Sequence, residues 1–296
     1  MRVGIGLPAA VPETDMTQLG RWAAEAERAG FRSVGVIDRL VYDNLDPLTA
    51  LAAAAVTTSR VELMSTVINV CWRDNAVLLA KQLSSVVRLS GGRLTAGLGM
   101  GGWPADYEAA GVPFAGRAAL FESMLATMGR SWRETGDRPR IVLAGTVGAA
   151  FTRAATTDSC QGWVAPLMGQ PLLREGAAAV ARAWVAAGRA GRPRIVTGRY
   201  VSLGADAGAV ADAYLRHYYG ADSYRIARTD TVTDVVELRA ELQRLSAVGC
   251  DDVLLYPCAG GLEQVSLLAH ALHEAWPEFG SEPGDGPRQY ESRMIA

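Results

Sequence analysis

The residues best suited to chemistry occur in four short segments, and each segment follows a run with the character of a buried strand. These segments are Asp38-Arg39, Ser65–Asn69, Gly99–Trp103 and Ala144–Val147. They offer a carboxylate, a guanidinium, hydroxyls, an amide and glycine backbone, but neither a nucleophile–base pair nor a triad. Such a set suits chemistry in which a bound cofactor performs the difficult step while the protein orients and shields it.

Asp38 and Arg39 are the candidate catalytic residues. Asp38 could act beside a bound ring system, or it could form an ion pair with Arg39 or Arg73, because carboxylates at barrel strand ends serve both purposes. Arg39 has a planar guanidinium that can hold an anionic ring or a phosphate with two hydrogen bonds, or form a salt bridge at the rim. Both alternatives remain open for each residue.

Gly99, Met100 and Gly101 are candidate cofactor-binding residues within the glycine-rich run 97–102. Glycine has no Cβ atom, so a flat ligand can lie directly on the backbone at such a strand end. The alternative is an ordinary mobile loop, since glycine-rich loops are common. Trp103 and Tyr107 then either wall a substrate pocket or pack the loop.

A phosphate site is predicted at Ala144, Gly145, Thr146 and Val147. The buried strand Ile141–Leu143 turns there directly into a short helix, whose first N–H groups have no internal partners and favour an anion. Gly145 would let a phosphate approach the backbone, and the Thr146 hydroxyl would add a donor. The alternative is an ordinary strand-to-helix turn. We expect Gly145→Val to abolish cofactor binding while leaving the fold intact.

Eight strand-then-helix units must position these segments. No linker-like change of composition interrupts the units, so we predict a single-domain α/β protein, a TIM-type (β/α)8 barrel over residues 1–275, with a loosely held tail at 276–296. The predicted strands are Val3–Leu7, Ser33–Ile37, Val61–Val67, Leu94–Leu98, Arg140–Leu143, Gln161–Ala165, Arg194–Val201 and Asp252–Tyr256.

Cap-forming residues mark the start of several helices. Asp15 with Gln18 resembles a capping box, Asp46-Pro47 combines a cap with a proline at the first helical position, and Asp74 can cap the next helix. That helix is predicted to end near Gly91 and to form its apolar face from Leu78, Leu79, Leu83 and Val86. The segment from residue 104 to 116 is expected to be a polar excursion, and the segment from 221 to 231 a short loop.

Composition excludes several classes of function. The formal net charge of -2 argues against a nucleic-acid or anionic-membrane partner, and no apolar run reaches the length needed to cross a bilayer. No signal peptide is expected, because the first strand begins at once, so the predicted location is the cytoplasm. The cysteines (71, 160, 250 and 258) have no metal-ligand spacing, and the three histidines are expected on helix surfaces. Cys71 could be a reactive thiol or a packed, inert one.

Several motifs resemble those of the bacterial-luciferase-like flavin-dependent oxidoreductases. The resemblance is carried by R-D-N-A-V-L-L-A-K-Q, L-S-G-G-R-L-T-A-G-L-G-M-G-G-W, I-D-R-L-V-Y-D-N-L-D-P-L-T-A-L, Q-G-W-V-A-P-L and V-G-C-D-D-V-L-L-Y-P. It implies a TIM-type barrel that binds reduced FMN, or coenzyme F-420, at its C-terminal mouth. The implied cofactor contacts include Ser65, Thr66, Val67 and Asn69, with a bulge and a non-prolyl cis peptide at Thr66-Val67.

Two positions depart from the resemblance. Relatives that oxidise sugar phosphates with coenzyme F-420 carry His where this sequence has Arg39, and Glu where it has Gly102. The His-bearing motif that the luciferase subunit itself carries near Asp38 is missing too. The leading hypothesis is a monooxygenase that uses diffusible reduced FMN, supplied by a separate reductase, and O2 on a small organic substrate. The alternatives are a coenzyme F-420-dependent reductase or dehydrogenase and a non-catalytic flavin-binding protein. The resemblance also implies a homodimer, formed through the early helices where Ala52–Ala55 permit close approach.

Overall fold

The computed structural model describes residues 1–280, apart from the side chain at position 222. Within these residues, nine strands form one sheet in which all pairings are parallel. The order is β3-β2-β1-β9-β8-β7-β6-β5-β4, and a further pairing of β3 with β5 closes the ring. The predicted single-domain TIM barrel is thus confirmed. The strands are β1 Arg2–Gly6, β2 Ser33–Val36, β3 Glu62–Ser65, β4 Ile68–Asn69, β5 Leu94–Gly99, β6 Arg140–Ala144, β7 Cys160–Val164, β8 Arg194–Val201 and β9 Asp252–Pro257.

The third barrel strand is divided into two parts, where the sequence predicted one strand over Val61–Val67. β3 ends at Ser65, the chain bulges through Thr66-Val67, and β4 resumes beside β5. The predicted cis peptide bond between Thr66 and Val67 is present. Gly97 permits this course, because a methyl group added there would lie 2.0 Å from the carbonyl oxygen of Ser65.

Helices surround the barrel, and the sequence analysis did not predict one whole helix, α4, or the second half of another, α8. The segment expected to be a polar excursion contains α4, and the expected short loop after residue 220 is the second half of α8, which breaks at Gly220 (φ 78°, ψ 168°). The helices are α1 Leu19–Arg28, α2 Pro47–Thr57, α3 Ala76–Leu89, α4 Pro104–Ala110, α5 Arg117–Thr135, α6 Gly148–Thr156, α7 Gln170–Ala186, α8 Ala207–Thr229, α9 Val235–Ala247 and α10 Glu263–Ala275.

The caps explain where α2 and α3 begin. Asp46 caps α2 as predicted, accepting hydrogen bonds from the backbone N–H groups of its second and third residues. The cap of α3 is Asn75 and not Asp74, because the residue directly before the helix is the one whose side chain reaches the N–H group of Leu78. Leu78 is also 53% exposed, so its assignment to the apolar face was wrong.

A buried ion network fills the N-terminal end of the barrel. Arg194 binds Glu62 at 2.9 Å and Asp252 at 2.7 Å, and Arg2 reaches both carboxylates from the side. Burial alone would raise the pKa of Glu62, but the guanidinium groups around it, Arg194 foremost, hold that pKa at about 2. Because the network lies opposite the strand ends that carry binding loops, it serves stability.

The chain remains packed where the tail begins. Phe279 is 6% exposed and lies edge-on to Phe31, with ring centroids 5.1 Å apart. Phe279 is thus packed within the predicted tail, and residues 281–296 of that tail lie outside the described residues. Across residues 1–280, no helix combines the length and apolar character needed to span a bilayer.

Candidate cofactor and substrate site

Three of the four predicted segments meet around Gly99, at the C-terminal end of the barrel. A methyl group added to Gly99 would lie 2.7 Å from Cγ2 of Val67, 3.6 Å from Cβ of Ala144 and 3.8 Å from Oδ1 of Asn69. Asn69 also pairs directly with Gly99 in the sheet. The absence of a side chain at Gly99 lets these strand ends form one continuous surface.

Asp38 joins this surface through Asn69. Its Oδ2 atom accepts a hydrogen bond from the backbone N–H of Asn69 at 2.8 Å, and the Asn69 side chain donates to the Asp38 carbonyl at 2.9 Å. Arg73 completes the environment by contacting both carboxylate oxygens, at 3.3 and 3.2 Å, and by reaching Asp46 at 3.1 Å. Asp38 thus pairs with Arg73 and not with Arg39.

The protonation of Asp38 depends on burial. The residue is 5% exposed, and burial raises its pKa to about 6, although Arg73 and the Asn69 N–H favour the charged form. A carboxyl group with such a pKa can exchange a proton near neutral pH. Its contacts also tie the end of β2 to β4, so Asp38 has a structural role whether or not it takes part in catalysis.

Arg39 is held in a salt bridge at the rim. Its Nε atom lies 3.0 Å from Oδ2 of Asp106, a residue of α4 that is fully buried, and its guanidinium lies 3.8 Å from the Trp103 ring centroid. The Asp106 carboxylate also accepts a hydrogen bond from the backbone N–H of Val41. Arg39 therefore links the loop after β2 to the loop after β5.

The polar side chains of the third strand point into the barrel wall and interior. Ser65 donates a hydrogen bond to the Gly97 carbonyl at 2.9 Å, and the Thr66 hydroxyl lies 2.7 Å from the hydroxyl of Tyr256. Tyr256 fills the barrel below the mouth, where a methyl group added to Gly6 would lie 2.1 Å from its ring. Ser65 and Thr66 thus fix the wall beneath the surface around Gly99.

The glycine-rich loop after β5 is anchored. Gly101 has a φ of +95°, and a methyl group added there would lie 2.6 Å from the ring of Trp72. The hydroxyl of Tyr107 donates to the carbonyl of Met100. Gly102, by contrast, has no atom near the position that a methyl group would take, so it faces open space.

Ala144–Val147 turns into α6 as predicted. Val147 occupies the N-cap position without a side-chain hydrogen bond and is 60% exposed, so the helix start is open to solvent. Trp163 fixes the turn by donating from Nε1 to the Gly145 carbonyl at 2.8 Å. Gly145 has a φ of +143°, and a methyl group there would lie 2.4 Å from Cβ of Ala150, so Gly145→Val would also disturb the helix, contrary to our expectation.

The remaining candidate residues have surface or packing roles. Cys71 is fully buried, its thiol donates to the Arg117 carbonyl at 3.4 Å, and burial raises its pKa, which agrees with a packed, inert thiol. His217 is exposed, as predicted, and its Nδ1 atom lies 2.7 Å from the hydroxyl of Tyr42. That contact joins α8 to the loop after β2.

Sequence analysis assigned no site role to the aromatic residues of α8 that approach the mouth, although the motif L-R-H-Y-Y-G, which contains two of them, also resembles the family. Tyr218 lies 4.8 Å from Tyr42 and 6.3 Å from Trp103, measured between ring centroids. Tyr219 lies 6.0 Å from Trp103, and its hydroxyl is 2.8 Å from that of Tyr200. The spacing of Tyr214 and Tyr218 on the helix predicted over Ala207–Tyr218 was a signal that could have identified this face.

The family profile described as luciferase-like monooxygenase matches residues 1–248, which is most of the sequence. The chain belongs to the luciferase-like monooxygenase family. This agrees with the family that the sequence motifs resembled.

Relatives by sequence leave the activity open. An uncharacterised protein of Mycobacterium tuberculosis, Rv0940c, is 30% identical over 193 residues, which cover 51% of this chain and 66% of that protein. This chain thus spans just under two thirds of that relative. A 5,10-methylenetetrahydromethanopterin reductase of Methanolobus tindarius is 33% identical over 102 residues, covering 34% of this chain and 30% of the reductase.

Solved structures share the fold. Monooxygenase RslO1 from Streptomyces bottropensis has a TM-score of 0.79 and 20% identity over 94% of this chain and 99% of its own. The oxygenating constituent of 3,6-diketocamphane monooxygenase of Pseudomonas putida, in complex with FMN, has a TM-score of 0.74 and 15% identity over 95% and 98%. An F420-dependent secondary alcohol dehydrogenase has a TM-score of 0.73 and 14% identity over 93% and 98%. At these identities the likeness concerns the fold.

Proposed function

We propose that this luciferase-like protein is a monooxygenase that uses reduced FMN and O2 on a small organic substrate. The observation that carries the proposal is the surface around Gly99, where Val67, Asn69 and Ala144 adjoin a residue without a side chain. A flat ring system could lie over the partly exposed Val67 and Ala144 side chains, which Gly99 lets pack closely together. Ser65, Thr66, Met100 and Gly101 would support the same ring from the strand ends beneath it.

The flavin phosphate would bind at Ala144–Val147. The start of α6 is exposed and has no side-chain cap, so its first N–H groups and the helix dipole are available to an anion. Cβ of Ala144 lies 3.6 Å from the position of a methyl group added at Gly99, so a single ligand could span the phosphate and ring sites. The hydroxyl of the exposed Thr146 would add a further donor.

Bound reduced FMN would supply two electrons, so that one oxygen atom of O2 enters the substrate, the other leaves as water, and the flavin is oxidised. The chain itself would orient the ring and exclude water from it. Asp38, with a pKa near 6, would hold or release a proton beside the ring. Arg39, fixed by Asp106, would favour an anionic ring through its positive charge.

The phosphate site can be tested without turnover. Thr146→Val should weaken FMN binding about threefold to tenfold in an anaerobic titration, since a hydrogen bond to a charged group is lost. Binding of riboflavin, which has no phosphate, should not change. Thr152→Val is the matched control, because Thr152 lies further along α6 and bonds the Gly148 carbonyl. Equal losses for FMN and riboflavin would move the phosphate elsewhere.

Coenzyme F-420 is the second candidate cofactor. It is favoured by the fold shared with the F420-dependent secondary alcohol dehydrogenase. Titration with reduced F-420 in parallel with reduced FMN separates the two proposals. Tight F-420 binding with hydride transfer that needs no O2 would replace the monooxygenase, while tight FMN binding without substrate oxidation would indicate a flavin-binding protein.

We further propose a homodimer that works in the cytoplasm with a separate flavin reductase. Within the described residues, α2 and α3 pack together and expose Val56, Val77 and Leu78 at 65%, 59% and 53%. Covering such apolar side chains would favour association through these two helices. A diffusible reduced flavin in turn requires a second enzyme that supplies it.

A further inference from the structure

Tyr42 and His217 form a hydrogen-bonded pair at the edge of the mouth. The Nδ1 atom of His217 lies 2.7 Å from the Tyr42 hydroxyl, and the imidazole is exposed to solvent. Tyr42 belongs to the loop after β2 and His217 lies on α8, so the contact joins two separate elements. The chemistry proposed above does not use this pair. Its geometry is that of an acid and a base placed for direct proton transfer.

In the resting pair the proton belongs to Tyr42. Burial raises the pKa of Tyr42 to about 12, so the phenol is protonated near neutral pH. When Nδ1 of His217 carries no proton, it accepts a hydrogen bond and the Tyr42 hydroxyl is the donor. The proton therefore passes to His217 only if Tyr42 becomes a much stronger acid. Removal of one electron from a phenol has this effect.

Aromatic rings in close contact connect Tyr42 to the mouth. Measured between ring centroids, Tyr42 lies 4.8 Å from Tyr218, and Tyr218 lies 6.3 Å from Trp103. Trp103 directly follows the glycine-rich run 97–102 at the end of β5. Tyrosine and tryptophan are the aromatic side chains that lose one electron most easily. Rings this close together can pass an electron from one to the next.

Arg39 influences which oxidised state of these rings is stable. Its guanidinium carbon lies 3.8 Å from the Trp103 ring centroid, and the ring centroids of Tyr218 and Tyr42 are 5.7 and 5.8 Å away. A positive charge so close opposes a second positive charge on any of the three rings. The stable product is therefore a neutral radical, which forms where the ring can give up a proton. Among the tyrosine and tryptophan side chains that the structure describes, Tyr42 is the one bonded to an imidazole.

We propose that Tyr42 and His217 form a redox-active pair that takes up oxidising equivalents generated at the mouth, with Trp103 and Tyr218 as the connection. A one-electron oxidant at the mouth, such as oxidised flavin excited by light, accepts one electron, which Tyr42 supplies. The O–H bond of Tyr42 breaks, its proton passes to Nδ1 of His217, and a neutral tyrosyl radical remains beside an imidazolium. A one-electron reductant in solvent, such as ascorbate, returns the electron, and the proton moves back. Delivery from flavin rests on the proposed function, whereas the pair itself needs no bound cofactor.

The pair can be tested in the protein without flavin. In mildly alkaline buffer, a light flash with persulfate converts tris(bipyridine)ruthenium(II) into a strong one-electron oxidant, and frozen samples are examined by electron paramagnetic resonance. Tyr290, which lies outside the described residues, is replaced by phenylalanine throughout. We expect a tyrosyl signal that Tyr42→Phe and His217→Gln each lower about tenfold, because both remove the proton transfer. Tyr224→Phe is the matched control and should keep the signal, because that hydroxyl is bonded to Arg216 and not to a base.

Three results of this experiment would overturn the proposal. A full signal in Tyr42→Phe would place the radical on another ring. A full signal in His217→Gln would show that the histidine does not act as the base. A third test needs no substitution at the pair: ring-deuterated tyrosine should narrow the spectrum, and an unchanged spectrum would assign the radical to tryptophan.

Illumination of the protein with bound oxidised FMN tests the connection to the mouth. The same tyrosyl signal should appear without ruthenium, and Trp103→Phe should remove most of it while leaving the signal generated with ruthenium unchanged. No signal from a protein that binds FMN, or a full signal in Trp103→Phe, would show that the connection is wrong. FMN binding is measured by titration beforehand, so a failure of the flavin proposal is distinguishable from a failure of the pair, which the ruthenium experiment tests by itself.

Discussion

Replacing Asp38 by asparagine should change how the stability of the protein depends on pH. The folded protein raises the pKa of this carboxyl from 3.8 to about 6, chiefly because it is buried. The native state therefore binds the proton more tightly than the unfolded chain does. Stability from this group is fully present below about pH 4 and is lost as pH rises through about 6.

The size of the effect follows from the shift. A shift of about two pKa units corresponds to about 3 kcal/mol in the free energy of unfolding. About 2 kcal/mol of that falls between about pH 4.5 and about pH 7.5, a range in which the measurement is practical. Across this range the parent protein should lose about 2 kcal/mol relative to Asp38→Asn, whose amide does not titrate.

Urea denaturation at several pH values provides the assay. The relevant quantity is the difference in unfolding free energy between the parent and Asp38→Asn, so that all other titrating groups cancel. Asp43→Asn is a matched control, because Asp43 is an exposed aspartate on the same loop. A difference that stays constant with pH would show that folding does not raise the pKa of Asp38. A difference that moves in favour of the parent as pH rises would show that Arg73 outweighs burial. Either result would refute the reasoning.

Three further perturbations test other parts of the structure. Arg194→Met leaves two buried carboxylates without their central partner and should cost about 3–5 kcal/mol in urea denaturation, against at most about 1 kcal/mol for the exposed Arg88→Met. Leu78→Asp should convert the proposed homodimer to a monomer in light scattering, and a parent that is monomeric at micromolar concentration would contradict the dimer. Gly101→Ala should weaken FMN binding about tenfold or more by displacing Trp72, whereas Gly102→Ala should not, and equal effects would exclude the flat surface.

The fold could be predicted from the sequence because its strands are short apolar runs with clear stops. Errors arose where two adjacent residues suited the same role, as with Asp74 and Asn75, since only the exact register of the helix decides between them. The helical continuation beyond Gly220 was missed for a related reason. A glycine after a helix usually ends it, whereas here the chain turns and resumes the helix at once.

The sequence was enough to predict which strand ends form the candidate site, but not which side chains contact each other there. Parallel strands deliver their carboxyl ends to one face, so Asp38, Asn69 and Gly99 could be grouped without coordinates. The partners of Asp38 and Arg39 could not be chosen, because several opposite charges lay within reach along the sequence. Asp106 in particular is placed against Arg39 by α4, a helix that the sequence did not reveal.

The ion network of Glu62, Arg194 and Asp252 has a consequence for engineering. It fixes the barrel from the end opposite the mouth, and its members belong to β3, β8 and β9 rather than to any loop at the mouth. Randomised libraries confined to the loops that follow the strands would therefore leave this anchoring untouched. We expect such libraries to yield folded variants with a new substrate range more often than libraries spread over the whole chain.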